Sequence, residues 1–203
     1  MTVARALTTT TASANAATAT ATIASGSFAT GDLLVLYGEI LGNTETLTPT
    51  DNVGDSNQNN WTLLSGPYYA TPVGVRMYVW YRVVGSSPGA GKSFTVTRSG
   101  GTWITAAIHS YRNDVTVGLT WSLATSDAGA QGSGSTTQTT PTLTYSGTNN
   151  VVVNVLTSDR VETATAPLTK QSAGFINGGA SGDAFNQTST TTPTWTSGAN
   201  ANW

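Results

Sequence analysis

The sequence predicts an all-β protein, and three observations carry that prediction. A strand-like segment recurs about half a chain apart, helical periodicity never persists for three turns, and short β-branched runs alternate with turn clusters. The first copy of the segment covers residues 27–37 and contains Gly31-Asp32-Leu33-Leu34-Val35. The second covers residues 145–155 and contains Asn149-Asn150-Val151-Val152-Val153. Each copy is a small polar turn, then Asp or Asn, then an apolar run that reads as a buried strand. Two such strands predict two sheets packed as one antiparallel β-sandwich, jelly-roll-like in type. Residues 25–203 form that single domain, and residues 1–24 form an extended N-terminal arm.

Composition agrees with this class. Only 9% of the 203 residues are charged, against about 25% in an average protein. Threonine makes up roughly a fifth of the chain, and its branched Cβ favours strands. An aromatic share of 8% and a hydrophobic share of 38% argue against disorder. The net charge is −2, and eight scattered basic residues make no stripe, so no nucleic-acid partner is expected. There is no cysteine, which fits folding in a reducing cytoplasm. The N-terminal residues lack a continuous apolar core of the kind a signal peptide has, and no apolar stretch is long enough for a membrane helix, so no membrane partner is expected.

The elements follow in order. Residues 17–22 alternate Ala and Thr, a weak strand that needs a neighbour to hold it. Residues 32–41 make a central strand, and residues 47–60 read as a loop dense in Asp, Asn and Thr. A strand starts at residues 61–64. Along residues 75–84, Met77, Val79, Tyr81 and Val83 share the face expected to meet the core, and Arg76, Tyr78, Trp80 and Arg82 share the other. Strands follow at residues 93–98 and 103–111. Residues 127–140 read as a low-complexity loop. Further strands are expected at residues 142–145, 151–157 and 194–196, with little signal over 174–192. Ser99-Gly100-Gly101-Thr102-Trp103 is echoed by the stretch from Ser197 to Trp203. If the halves correspond, the second lacks the strand that follows Trp103, which would leave a sheet edge open for pairing.

Four segments in order resemble a β-sandwich module of bacteriophage virion proteins and bacterial surface proteins. They are Gly31-Asp32-Leu33-Leu34-Val35, then Asp51-Asn52-Val53-Gly54-Asp55 leading to Asn60-Trp61-Thr62, then Met77 through Val83, then Ser93-Phe94-Thr95-Val96. The resemblance covers residues 25–112, with a weaker echo beyond. It implies a non-enzymatic virion protein, a capsid decoration or head–tail accessory subunit made in the host cytoplasm. Its implied partners are other virion proteins, capsid or tail subunits among them, and further copies of itself. The arm and residues 194–203 would carry those contacts. The alternative it implies is an extracellular or cell-surface carbohydrate-binding or adhesin module.

Candidate sites are few. Asp51 and Asp55 stand in a loop of hard oxygen donors that suits Ca²⁺, although the same residues serve any long turn. Tyr78 and Trp80, flanked by Arg76 and Arg82, would stack on a glycan or meet a partner if exposed, or pack under loops if not. The single histidine, His109, lacks a nucleophile nearby in sequence and reads as structural or surface. Gly85-Ser86-Ser87-Pro88-Gly89 matches a nucleophile-elbow spacing but lies between two strands, where it reads as a turn. None of the ten acidic residues stands in a recognisable setting for glycoside hydrolysis.

Overall fold

A computed structural model describes residues 2–8, 10–100, 102–113, 121–123, 132–160, 162–173, 175 and 178–203. Fifteen strands are defined: β1 (Val3–Arg5), β2 (Thr10–Ala14), β3 (Thr18–Thr22), β4 (Leu33–Leu41), β5 (Leu47–Asp51), β6 (Thr62–Ala70), β7 (Val75–Val83) and β8 (Ser93–Arg98). The rest are β9 (Ile104–Asn113), β10 (Ser135–Thr139), β11 (Asn150–Leu156), β12 (Glu162–Ala164), β13 (Thr169–Ala173), β14 (Ala180–Gln187) and β15 (Thr194–Ala201). The protein is all-β with almost no helix, and its antiparallel sheets do not close into a barrel.

Among the described residues there are four sheets, not the two expected. A six-stranded sheet runs β1-β9-β4-β7-β6, with β2 also paired to β9, and the other three are β3-β8-β5, β11-β14-β13 and β10-β15-β12. Adding seven to each strand number turns β3-β8-β5 into β10-β15-β12 and β4-β7-β6 into β11-β14-β13. The repeat read from residues 27–37 and 145–155 is thus a repeat of strand order. β9 has no counterpart among the described residues.

The repeated motif does the same job in both copies. Asp32 accepts a hydrogen bond from the Ala29 amide at 2.8 Å, and both its oxygens take Arg112 of β9, at 2.7 and 2.6 Å. Asn150 donates to the carbonyls of Ser146 and Gly147 at 3.2 and 3.3 Å and to that of Gln187 on β14 at 2.9 Å. Each polar residue ties its turn to the neighbouring strand.

Among the described residues three apolar clusters lie between the sheets. Ala19, Ala21, Phe94 and Val96 of β3 and β8 meet Leu34, Leu36, Trp80, Ile104 and Ile108 of the six-stranded sheet. On that sheet's other face, Val35, Tyr37, Val79, Ala107 and Tyr111 meet Val151, Val153 and Val155 of β11 and Phe185 of β14. Val152, Leu156 and Ala184 then pack against Trp195 of β15. β4 and β11 meet apolar neighbours on both faces, which is why they read as mostly apolar runs.

Several expectations need correction. The segment 1–24 lies against its own domain, so it is not held out to neighbours as the resemblance implied: β1 and β2 pair with β9, and β3 pairs with β8. Its Ala-Thr alternation works because Ala19 and Ala21 are buried against the core, while Thr20 and Thr22 exchange hydroxyl hydrogen bonds with Thr95 and Ser93 at 2.8 and 3.0 Å. Nor do residues 194–203 offer an open edge, because β15 pairs with β10 on one side and β12 on the other. The loop expected over 47–60 begins with β5, and the one over 127–140 contains β10, its residues 127–131 lying outside those described. The strand expected at 142–145 is a single bridge, Leu143 to Thr191.

Gly38 shows how tightly the first core is filled. A Cβ there would stand 2.8 Å from Cζ3 of Trp80 and 2.9 Å from Cδ1 of Leu47. Tyr78 and Trp80 stack across this spot with ring centroids 5.2 Å apart. Gly38→Ala is therefore expected to destabilise the protein by about 1–3 kcal/mol through overpacking, read from urea unfolding.

Candidate functional site

The polar residues singled out in the first half converge on one buried guanidinium. β7 aims Arg82 at the end of β5 and the loop after it. Arg82 donates from Nε and Nη2 to the two oxygens of Asp51, at 3.0 and 2.8 Å, and from Nη1 to Asp55 at 2.9 Å. Asp51 also accepts from the indole of Trp61 at 2.9 Å and from the amides of Val53 and Asn59 at 3.0 and 3.2 Å. The Trp61 ring lies under the guanidinium, 5.3 Å from its carbon. Asp55 accepts from the Gly85 amide as well, so the Gly85–Gly89 stretch is a turn that braces this node.

The structure does bring Asp51 and Asp55 together, as a shared cation site would require, but the cation they hold is Arg82. Among the described residues no three His, Cys, Asp or Glu side chains gather as a metal site would need.

The surface expected from Tyr78, Trp80, Arg76 and Arg82 is not exposed. Tyr78, Trp80 and Arg82 retain 5%, 4% and 3% of their accessible area. Arg76, half-buried, donates to the carbonyls of Asn43 and Glu45, and the Tyr78 hydroxyl reaches the Glu45 carbonyl at 2.9 Å. The physical reason is the six-stranded sheet, which has a core on each face. Of the two readings left open for Tyr78 and Trp80, the packed one holds: their face carries the larger rings and meets β3-β8-β5. Met77, Tyr81 and Val83, on the face assigned to the core, are only half-buried.

A second buried network lies between the halves of the chain, and it contains His109. β9 presents His109 and Tyr111 to β14, which presents Ser181 and Asp183. His109 Nε2 stands 2.7 Å from Ser181 Oγ, and His109 Nδ1 stands 2.9 Å from the Tyr111 hydroxyl. That hydroxyl donates to Asp183 Oδ2 at 3.1 Å, while the direct separation of His109 Nδ1 from Asp183 Oδ2 is 3.6 Å. With Tyr111 donating to the carboxylate, its oxygen takes the proton of His109 Nδ1, and Nε2 accepts from Ser181. Arg5 of β1 closes the network, meeting Asp183 at 2.6 Å and Gln171 of β13. The Tyr37 ring meets the imidazole edge-on, 5.1 Å between centroids.

The charges follow from burial. Desolvation lowers the pKa of His109, with Asp183 opposing it, so the imidazole is neutral near pH 7. Burial works to raise Asp183, but His109 and the charge of Arg5 overcome it and hold the carboxyl below its usual value. Burial pushes the phenols of Tyr37 and Tyr111 well above theirs.

The order Ser181, His109, Asp183 is that of an acyl-transfer triad. Here a tyrosine hydroxyl bridges the imidazole and the carboxylate. Ser181 and His109 have no exposed area, so a substrate could reach Ser181 only if the halves separated. What the arrangement does as it stands is join β9 and β1 to β14 and β13.

Ser181 and Asp183 escape a reading of the sequence because β14 lies in its featureless part, and Arg5 and Gln171 escape it because β1 and β13 are short and give little apolar signal. One signal was present. Arg5 is the only charged residue in 1–31, and Asp183 is the only one in 171–203. Lone charges in uncharged stretches are costly to bury unless they meet, and these two do. Comparison with protein-family models, with curated proteins and with solved structures finds no match.

Proposed function

We propose that this chain is a non-enzymatic structural subunit of a particle, of the capsid-decoration or head–tail accessory kind suggested by its resemblance to phage virion modules. In this reading each half is a jelly-roll-like β-sandwich, and the two stand back to back through the six-stranded sheet and β11-β14-β13. The observation that supports it is where the reactive side chains are used. His109, Ser181, Asp183 and Arg5 join one half to the other, and Arg82, Asp51 and Asp55 brace a corner of the first half. A tandem fold braced from within suits a part that holds its shape among neighbours.

The test is density-gradient fractionation of lysate from infected cells producing the particles, followed with an antibody to this chain. Co-migration with assembled particles is the expected result. Recovery only among free proteins would overturn the proposal.

A further inference from the structure

We propose that the seam between the two halves of the chain is an acid-operated latch: a proton taken up by His109 parts the face of β9 from that of β14 while the strands of each half stay paired. This goes beyond the assembly reading and does not depend on it.

The first observation is how the seam is tied. β9 is held edge to edge by β4 on one side and by β1 and β2 on the other. β14 is held in the same way by β11 and β13. Among the described residues no ladder joins β9 to β14. What ties the halves there is side chains: His109 to Ser181, Tyr111 to Asp183, and Arg5 to Asp183 and Gln171. Asn186 adds a bond from its side chain to the Val3 amide at 2.9 Å. The seam can therefore part without the loss of one ladder hydrogen bond.

The second observation is the count of charges around the imidazole. β9 brings Tyr111 to it, β4 brings Tyr37, β1 brings Arg5, and β14 brings Ser181 and Asp183. β11 places Val155 beside Ser181, and Lys170 of β13 turns away to the Glu162 carbonyl. Burial keeps both phenols neutral. Arg5 and Asp183 cancel each other. A proton on His109 is then a positive charge with no counter-ion of its own, at a side chain with no exposed area. Asp183 Oδ2 stands 3.6 Å from Nδ1, but it already takes Arg5 and Tyr111. Such a charge is costly while the seam is closed and cheap once water enters, which is the sense in which burial lowers the pKa of His109.

The third observation is the direction of the bond that spans the seam. His109 Nε2 accepts from Ser181 across 2.7 Å. A proton on Nε2 turns that acceptor into a donor, so the Ser181 hydroxyl must swing its own proton to another acceptor. One proton thus both adds the charge and undoes the tie. In the open seam the imidazole titrates near its ordinary value of about 6.5, so acidifying from about pH 7.5 to pH 5 raises the open population by up to about thirtyfold.

The test exploits the absence of cysteine from the chain. Val79→Cys sets a single thiol in the apolar layer of the seam, and Val96→Cys sets one in the core inside the first half. Each is labelled with 4,4′-dithiodipyridine, which reacts with thiols in acid as well, and each rate is divided by that of the urea-unfolded variant at the same pH. The relative rate at Cys-substituted Val79 is expected to rise at least about tenfold from about pH 7.5 to pH 5, while the one at Val96 stays low. His109→Gln added to the seam variant is expected to abolish the rise. Val151→Cys and His109→Asn serve where the first choice fails to fold by circular dichroism. Equal relative rates at the two pH values would overturn the proposal, as would a rise that survives substitution of His109. An equal rise at Val96 would overturn it too, because the whole chain would then be unfolding rather than parting at its seam.

Discussion

Arg82→Met is expected to cost about 3–5 kcal/mol of stability, because it leaves two buried carboxylates facing each other without their cation. Asp51 and Asp55 have no exposed side-chain area, and Arg82 has 1%. For a chain of this length that loss corresponds to a drop in Tm of roughly 6–20 °C. Arg82→Lys is expected to recover little, since a single ammonium cannot reproduce the fork that spans both oxygens of Asp51 and reaches Asp55. Urea unfolding followed by tryptophan fluorescence reports the change directly, because Trp61 both stacks on the guanidinium and donates to Asp51. A loss below about 1 kcal/mol would place this node among ion pairs whose desolvation cancels their attraction.

The same node shows what the sequence could and could not disclose. The clustering of Asp51 and Asp55 in one loop was legible, and so was its suitability for a cation. That Arg82 supplies it was not, because the alternation along β7 puts apolar residues on both faces and leaves open which one meets the larger core. A sheet with cores on both sides removes the contrast that alternation depends on. β4, β7, β8, β9 and β11 announced themselves because Val, Leu, Ile and aromatic residues are concentrated there. β14 did not, although it is the centre of its sheet. Its sequence, Ala-Ser-Gly-Asp-Ala-Phe-Asn-Gln, is small and polar for two reasons. A Cβ at Gly182 would stand 3.0 Å from the Trp195 ring and 3.1 Å from the Thr169 carbonyl. Ser181 and Asp183 on its other face serve His109, Tyr111 and Arg5. Close packing on one side and a polar join on the other erase the apolar signature of a buried strand.

That join has a pH dependence whose sign is fixed by burial. His109 titrates in the folded protein below its ordinary value near 6.5. The unfolded chain therefore binds the proton first, and the stability contributed by the neutral imidazole is complete above about pH 6.5 and is lost as pH falls through the lower folded value. Asp183 is also depressed, so its contribution fades in turn below the ordinary carboxylate range. Glu162 works in the opposite sense. Burial raises its pKa, so its contribution is complete at low pH and fades as pH rises through the raised value. Acidifying from about pH 7 to pH 5 is expected to reduce unfolding free energy with a slope of up to about 1.4 kcal/mol per pH unit, the limit for one proton. His109→Gln, which cannot take that proton, is expected to flatten this part of the profile while leaving the later loss from Asp183 in place. The comparison is one of slopes, so a lower absolute stability of the variant does not disturb it. Parallel slopes in the two proteins would show that His109 does not carry the acid sensitivity of the joined halves.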